Sequence, residues 1–261
     1  MSDQNVTAFL KRLSEFDRSK TRIEVFRAFC EMAFCAIAKT TATTRERADQ
    51  LESDYMACVA RFRNKEDVRA MPELLAIAAS ALAHGKRDFL GAVAAEIGAL
   101  DAKLGQFFTP YEVSRLMAEM SLGHAAAAIR DKGFLTIQEP AAGAGGMILA
   151  AADAIEGQGF DPAATIWFEA IELNRPTFQM AYLQTALRGL AGKVVCGNAL
   201  SREVYEVAFT PAALLFLQRH GDPFADQKAR AAQEDAQRIE EEAAQDAARA
   251  KRLSSVRFVR I

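Results

Sequence analysis

Apolar residues in the first hundred positions recur at helical spacing. Ile23, Phe26, Arg27 and Cys30 share that spacing, and the apolar run continues through Met32, Phe34 and Ile37, which predicts a helix. The polar run from Thr40 to Thr44 interrupts it. Arg45 to Phe62 reads as a second helix, with Leu51, Tyr55, Cys58 and Val59 on one face. Pro72 is placed to open a third, since proline suits a first helical turn, and Asp88-Phe89-Leu90-Gly91 begins a fourth. Residues 1–20 are polar and read as a frayed arm. The period then changes. The short apolar run Phe134–Ile137 leads to Glu139, and the segments Ile166–Asn174 and Lys193–Leu200 are short strands that end in the polar residues Glu172 and Asn198. Helical stretches separate them: Met147–Ile155, then a helix from Asn174 to Leu187 that Gly189 and Gly192 close. Gly157-Gln158-Gly159 and Asp161-Pro162 mark a turn before the second run. Strands alternating with helices predict an open parallel α/β sheet. Val204–Phe209 and Leu214–Leu217 are candidates for one or two more strands. Residues 225–253 are alanine-rich and charged, with high helix propensity, large apolar side chains nearly absent apart from Ile239, and no heptad leucines for a coiled coil. Val256–Ile261 interleaves apolar and basic residues, and reads either as an edge strand for this sheet or another subunit, or as a disordered tail.

The sharpest local feature is Glu139-Pro140-Ala141-Ala142-Gly143-Ala144-Gly145-Gly146, a glycine loop between a strand and a helix. Bare backbone there lets a ligand approach closely. The dinucleotide fingerprint G-x-G-x-x-G is the nearest competitor, but Ile148 stands where its third glycine belongs. The carboxylate of Glu139 suits a cation better than a phosphate. The amino group of S-adenosyl-L-methionine (SAM) meets that requirement, so the loop reads as a SAM site before a nucleotide-phosphate site. A flexible turn of small residues is the plainer alternative. In an open parallel sheet, ligands bind at the carboxyl ends of strands. Glu139, Glu172 and Asn198 therefore converge on one crevice, with Glu172 able to accept both ribose hydroxyls and Asn198 to bond an adenine edge.

Taken in order, these segments resemble the gamma-class N6-adenine DNA methyltransferases, especially the modification subunits of type I restriction systems. Gly105-Gln106-Phe107-Phe108-Thr109-Pro110 is similar to their G-Q-F/Y-F-T-P motif. Glu139–Met147 is similar to D/E-P-A-x-G-x-G-G-F, with Ala142 where Cys is common and Met147 where Phe is common. Ala170–Asn174 and Gly197–Leu200 resemble the acidic second-strand and G-D/N-x-L third-strand motifs. The resemblance covers roughly residues 85–200. It implies a Rossmann-like SAM-dependent methyltransferase core, abbreviated relative to the usual seven strands or completed by a partner. It also implies that Thr109 and Pro110 line the methionine end, that Glu139 holds the amino group, Glu172 the ribose and Asn198 the adenine, and that Phe107, Ala141, Gly143 and Gly145 belong to the same cofactor site.

One family element is missing. Members carry D/N-P-P-Y/F after the fourth strand, where it holds an adenine turned out of the duplex. Losing one such preorganised partner typically costs about 100- to 1000-fold in rate. The closest string is Asp222-Pro223-Phe224, one proline short. Asp222 and Phe224 are the candidate catalytic residues, against a structural turn as the plainer reading; Thr210-Pro211 reads as a helix start. Nothing after residue 225 reads as a target-recognition domain. The expected division is a helical region at 1–103, a methyltransferase-like α/β domain at 104–224 and a charged helical tail at 225–261. The expected function is that of a SAM-binding methylase relative, catalytically defective, acting as a DNA-associated or subunit-like modulator in a restriction–modification setting. One alternative is an active N6-adenine DNA methyltransferase using Asp222 and Phe224 or a partner subunit. Another is an interaction module with an empty pocket. A small-molecule methyltransferase ranks below these, because Gly105–Pro110 points to the DNA-methylase branch.

Composition narrows the partners. The chain has 261 residues, 51% hydrophobic and 25% charged, with a net charge of -2, so no global basic field draws it to DNA. Arg61, Arg63, Lys65, Lys86 and Arg87 are candidates for a local basic face, or simply solvated surface. DNA and a protein partner or second copy are the expected partners. Cys30, Cys35, Cys58 and Cys196 lack C-x-x-C pairing, so reduced thiols rather than a zinc site are expected. His84, His124 and His220 are scattered near helix ends or loops and read as capping or solvated groups. Trp167 reads as packed within the second strand. No run approaches the roughly 18 apolar residues of a membrane span, and a cytoplasmic setting is expected.

Overall fold

In the computed structural model, which describes residues 4–84, 87–99 and 108–254, the polar N-terminus is helical rather than frayed. Helix α1 (Gln4–Leu13) buries Phe9 and Leu13, and Phe16 is buried just beyond it. Those apolar residues override a mostly polar composition. The Phe9 ring meets Phe26, Phe29 and Phe89 edge-on, with centroids 6.3, 5.3 and 5.6 Å away. Such pairs add about 0.5–1.5 kcal/mol each beyond area burial.

Helix α2 (Arg22–Ala38) starts at a capping box: Thr21 accepts from the Glu24 backbone N–H, and the Glu24 carboxylate accepts from that of Thr21. A short 3-10 turn (Lys39–Thr41) leads to α3 (Arg45–Ala60), capped by Thr44. Helix α4 (Lys65–His84) contains Pro72 in its interior, so Pro72 does not open it. Asn64 supplies the start signal by accepting from the Glu66 N–H. The backbone bond that proline forfeits is offset by burial of Met71, Leu74, Ala78 and Leu82 on one face. Helix α5 (Phe89–Glu96) follows, capped by Asp88.

The α/β part begins with α6 (Tyr111–Leu122) and α7 (Ala125–Lys132), then β1 (Leu135–Glu139), α8 (Gly146–Gly157), a single turn α9 (Pro162–Thr165), β2 (Ile166–Glu172), α10 (Arg175–Leu187), β3 (Ala191–Asn198), β4 (Glu203–Phe209) and α11 (Pro211–His220). The described strands form one sheet in the order β1-β2-β3-β4. The first three are parallel, with Ile137 opposite Phe168 and Ala170 opposite Val194.

Strand β4 is antiparallel to β3, so the sheet is mixed. Residues 199–202 are too short for the dozen or more residues that a parallel crossover needs, and Arg202 turns the chain at φ 61°. Leu214–Leu217 lies in α11, not in a strand: Phe216 is buried while Leu214 and Leu215 face solvent, a helical rather than alternating pattern. Gly192 sits within β3 rather than closing α10, a task left to Gly189 at φ 75°.

Helices α8 and α10 pack on one face of the sheet, and α2 packs on α10. There the Phe34 ring lies 5.2 Å from Phe178 and 5.0 Å from Tyr182. The N-terminal helices thereby complete the core of the α/β part. They also hold β4: Thr41 donates to the Phe209 carbonyl, and the buried carboxylate of Glu206 pairs with Arg47 of α3, as well as with Arg175 of α10. On the opposite face Trp167 packs on Phe216, with centroids 5.4 Å apart. The chain divides into two compact units, Met1–Arg219 and His220–Ile261. The second unit contains α12 (Ala225–Ser254), whose described side chains are all exposed, as its alanine-rich sequence predicts. Lys86, Gly105–Phe107 and Val256–Ile261, singled out in the sequence, lie outside the described residues.

Candidate functional site

Strand β1 delivers its chain into the glycine loop, which two left-handed glycines shape: Gly143 at φ 55° and Gly145 at φ 94°. Gly145 donates to the Ala142 carbonyl, and Ala142 donates to the Ile171 carbonyl, each at 2.8 Å. A β-carbon on Gly145 would stand 3.3 Å from the backbone of Ala181, so the loop lies tight against α10. A β-carbon on Gly143 would stand 3.1 Å from the Phe108 ring.

Glu172, at the end of β2, anchors the same loop. Its carboxylate accepts from Gly143 N–H at 3.0 Å and from Asn174 N–H at 2.8 Å. Burial pushes this carboxyl above its ordinary range, and the Asn174 and Gly143 bonds oppose the rise. A third anchor is Gln184 of α10, fully buried. Its amide donates to the Ala144 carbonyl at 2.7 Å and to Asp88 at 2.6 Å, and its carbonyl accepts from Leu90 N–H at 2.9 Å. One side chain thus ties α5, α10 and the glycine loop together.

Beside the loop is a cavity of about 320 Å³. That lies at the lower end of the roughly 300–1,000 Å³ typical of small-molecule sites. Thr109, Glu139, Ala141 and Gly143, all predicted from the sequence, line it. Pro110 lines an adjoining hollow with Tyr111 and Phe108. Gly145 shapes the loop without lining the cavity. Glu172 and Asn198 end neighbouring strands at the same edge of the sheet but are not among the cavity's walls. Asn198 is engaged in its own turn, where its carbonyl oxygen accepts from Leu200 N–H at 2.9 Å. Phe107 falls outside the described residues.

Asp222 and Phe224 belong to the second unit. Asp222 accepts from Phe224 N–H at 2.9 Å and pairs with Lys228 at 2.6 Å, which caps the start of α12. Sequence reasoning missed Asp88, Ser114 and Met117, which also line the cavity. Asp88 had a readable sign, an aspartate just before an apolar helix, but that sign speaks of capping and not of a pocket. Among the described residues no group of His, Cys, Asp and Glu is suited to hold a metal ion, and no helix is long and apolar enough to cross a membrane.

Comparison with solved structures finds a chain of Listeria monocytogenes assigned to the class I S-adenosylmethionine-dependent methyltransferases, at 12% identity and TM-score 0.40, covering 85% of this chain and 72% of that one. It also finds the methyltransferase subunit of a type I restriction-modification system from Streptococcus thermophilus, at 14% identity and TM-score 0.30, covering 72% of this chain and 55% of that one. Neither likeness is close enough to carry an assignment. No curated protein matches the sequence. The profile of the N-6 DNA Methylase family matches residues 89–238, more than half of the chain, and spans the glycine loop and all four strands. The chain belongs to the N-6 DNA Methylase family.

Proposed function

We propose that this protein binds SAM in the cavity beside the glycine loop and does not itself transfer the methyl group to adenine, acting instead as a DNA-associated or subunit-like modulator. The observation that carries the first half is the wall of the cavity: Thr109, the carboxylate of Glu139 and the bare backbone at Ala141–Gly143 meet around a volume suited to a small ligand. These groups fit SAM, whose amino group needs an acceptor and whose methionine chain needs a bare backbone beside it. SAM, when bound, supplies an electrophilic methyl group. Glu172 contributes by fixing the loop, and Asn198 stands at the next strand end for the nucleoside.

The second half rests on the chain beyond β3. Within these 261 residues there is no D/N-P-P-Y/F. The strand after β3 is an antiparallel return that runs into α11 through Thr210-Pro211, with the Thr210 hydroxyl buried and donating to the Leu190 carbonyl at 2.7 Å. Thr210 is thus committed to holding the backbone. Asp222, the remaining candidate, is committed to a cap and an ion pair.

Titration calorimetry with SAM and S-adenosylhomocysteine, paired with a labelled-methyl transfer assay on unmethylated DNA, tests both halves. The expected result is binding of both nucleosides, weakened in Glu172→Ala, without incorporation of label. No heat at high micromolar ligand would remove the cofactor reading. Incorporation that vanishes in Asp222→Ala would establish an active enzyme instead.

A further inference from the structure

We infer that Asp88 is a second anionic subsite of the cavity and accepts the ammonium group of the ligand's amino-acid end; this rests on the SAM reading above. Asp88 lines the cavity beside Gly146 yet is only 8% exposed. Its two hydrogen-bond donors share one oxygen: Gly91 N–H at 2.9 Å and the Gln184 amide at 2.6 Å both meet Oδ1. No donor among the described residues reaches Oδ2, and no described lysine or arginine pairs with this carboxyl. That oxygen is held against the first turn of α8, where a β-carbon on Gly146 would stand 3.2 Å from it.

A buried carboxyl with no counter-ion among the described residues is costly to ionise, so the fold favours its protonated form until a cation arrives to pair with it. Burial pushes its proton affinity up, which reports the same lack of compensation. Glu139 lines the same cavity but is more exposed, and its Oε1 already accepts from Ala141 N–H at 3.0 Å. A charge at Asp88 is screened less by water than one at Glu139, so it has the greater hold on an ammonium group. Capping alone does not need a carboxylate here, because an asparagine oxygen caps equally well.

The test uses Asp88→Asn in the full chain, which keeps the cap acceptor and the shape. Calorimetry compares three nucleosides: SAM, S-adenosylhomocysteine (ammonium but no sulfonium) and 5′-methylthioadenosine (neither charge). The expected result is a loss of about 10- to 100-fold in affinity for the first two, as for a charge-assisted bond, with methylthioadenosine binding unchanged. Retained methylthioadenosine binding also shows that the variant is folded. Equal binding of all three by parent and variant would reduce Asp88 to a helix cap and overturn the inference while leaving the SAM reading intact. A loss confined to SAM would move Asp88 to the sulfonium and overturn it likewise. A uniform loss across all three would assign Asp88 to the architecture of the loop and also overturn it. A parent protein that binds none of the three removes the SAM reading and the inference together.

Discussion

Gln184 shows how much one side chain decides. It is fully buried and makes three hydrogen bonds, to Asp88, Ala144 and Leu90. Gln184→Leu conserves volume but leaves a carboxyl, a carbonyl and an N–H short of a partner. Each buried orphan costs about 1–3 kcal/mol, and the three are coupled, so a loss of about 3 kcal/mol or more is expected. Urea unfolding followed by the emission of Trp167, the single tryptophan, measures it; a loss under about 1 kcal/mol would show that water takes over the bonds. Asp88 and Glu172 set a pH dependence opposite to that of most surface acids. Both carboxyls are raised by burial, so the fold holds their protons to a higher pH than the unfolded chain does. Their contribution is therefore complete below the ordinary carboxylate range and is lost as pH rises through the folded values. As pH rises through and above the ordinary carboxylate range, the urea midpoint of Asp88→Asn is expected to vary less steeply than that of the parent, with the share due to Glu172 remaining. Parallel profiles would mean that Asp88 does not titrate differently in the fold.

Among the secondary-structure elements, the glycine loop and β4 are the informative pieces. Gly145 combines a left-handed φ of 94° with a β-carbon position 3.3 Å from the Ala181 backbone. Gly145→Ala therefore incurs both backbone strain and a contact that α10 relieves only by moving. The strain alone costs about 1–3 kcal/mol, and displacement of the loop is expected to weaken nucleoside binding as well. A variant with parental stability and affinity would show that the loop is more pliable than its hydrogen bonds suggest. This position is legible in the sequence, because glycine between a strand and a small-residue helix has few other uses. The short connection before β4 carries the information on its direction. Its sequence has no strict apolar alternation, with Val204 and Tyr205 exposed and Glu206 buried, and contacts from distant segments fasten it once it has turned: Thr41, Arg47 and Arg175 hold Phe209 and Glu206. The strand expected at Leu214–Leu217 fails for a related reason. A short apolar run has no period of its own, and only the neighbouring aromatic residues Phe134 and Trp167, which receive Phe216, settle it as a helix.

Across the whole molecule, the helices before residue 99 are part of the core and not an appendage. Phe9 and Phe34 link them to α5 and α10, and the four cysteines are sealed within the result. Burial raises the Cys35 thiol to about 12 and the Cys58 thiol to about 11. Native protein is expected to react slowly with a disulfide reagent at neutral pH and to yield four thiols once unfolded; rapid release of any thiol from the native state would contradict that burial. The lack of C-x-x-C spacing foretells free thiols, but not how deep they lie. Local pattern was enough for the first three strands, the glycine loop between strand and helix and the helix that follows it, because glycines, caps and strand ends act on their nearest neighbours in the chain. It took the folded arrangement to bind Glu172 to the loop it was expected to accompany, and to stand Asp88, far from the glycines along the chain, beside them with one oxygen that no described donor reaches. Burial and long-range partners set those outcomes, and neither is written in the period of a segment.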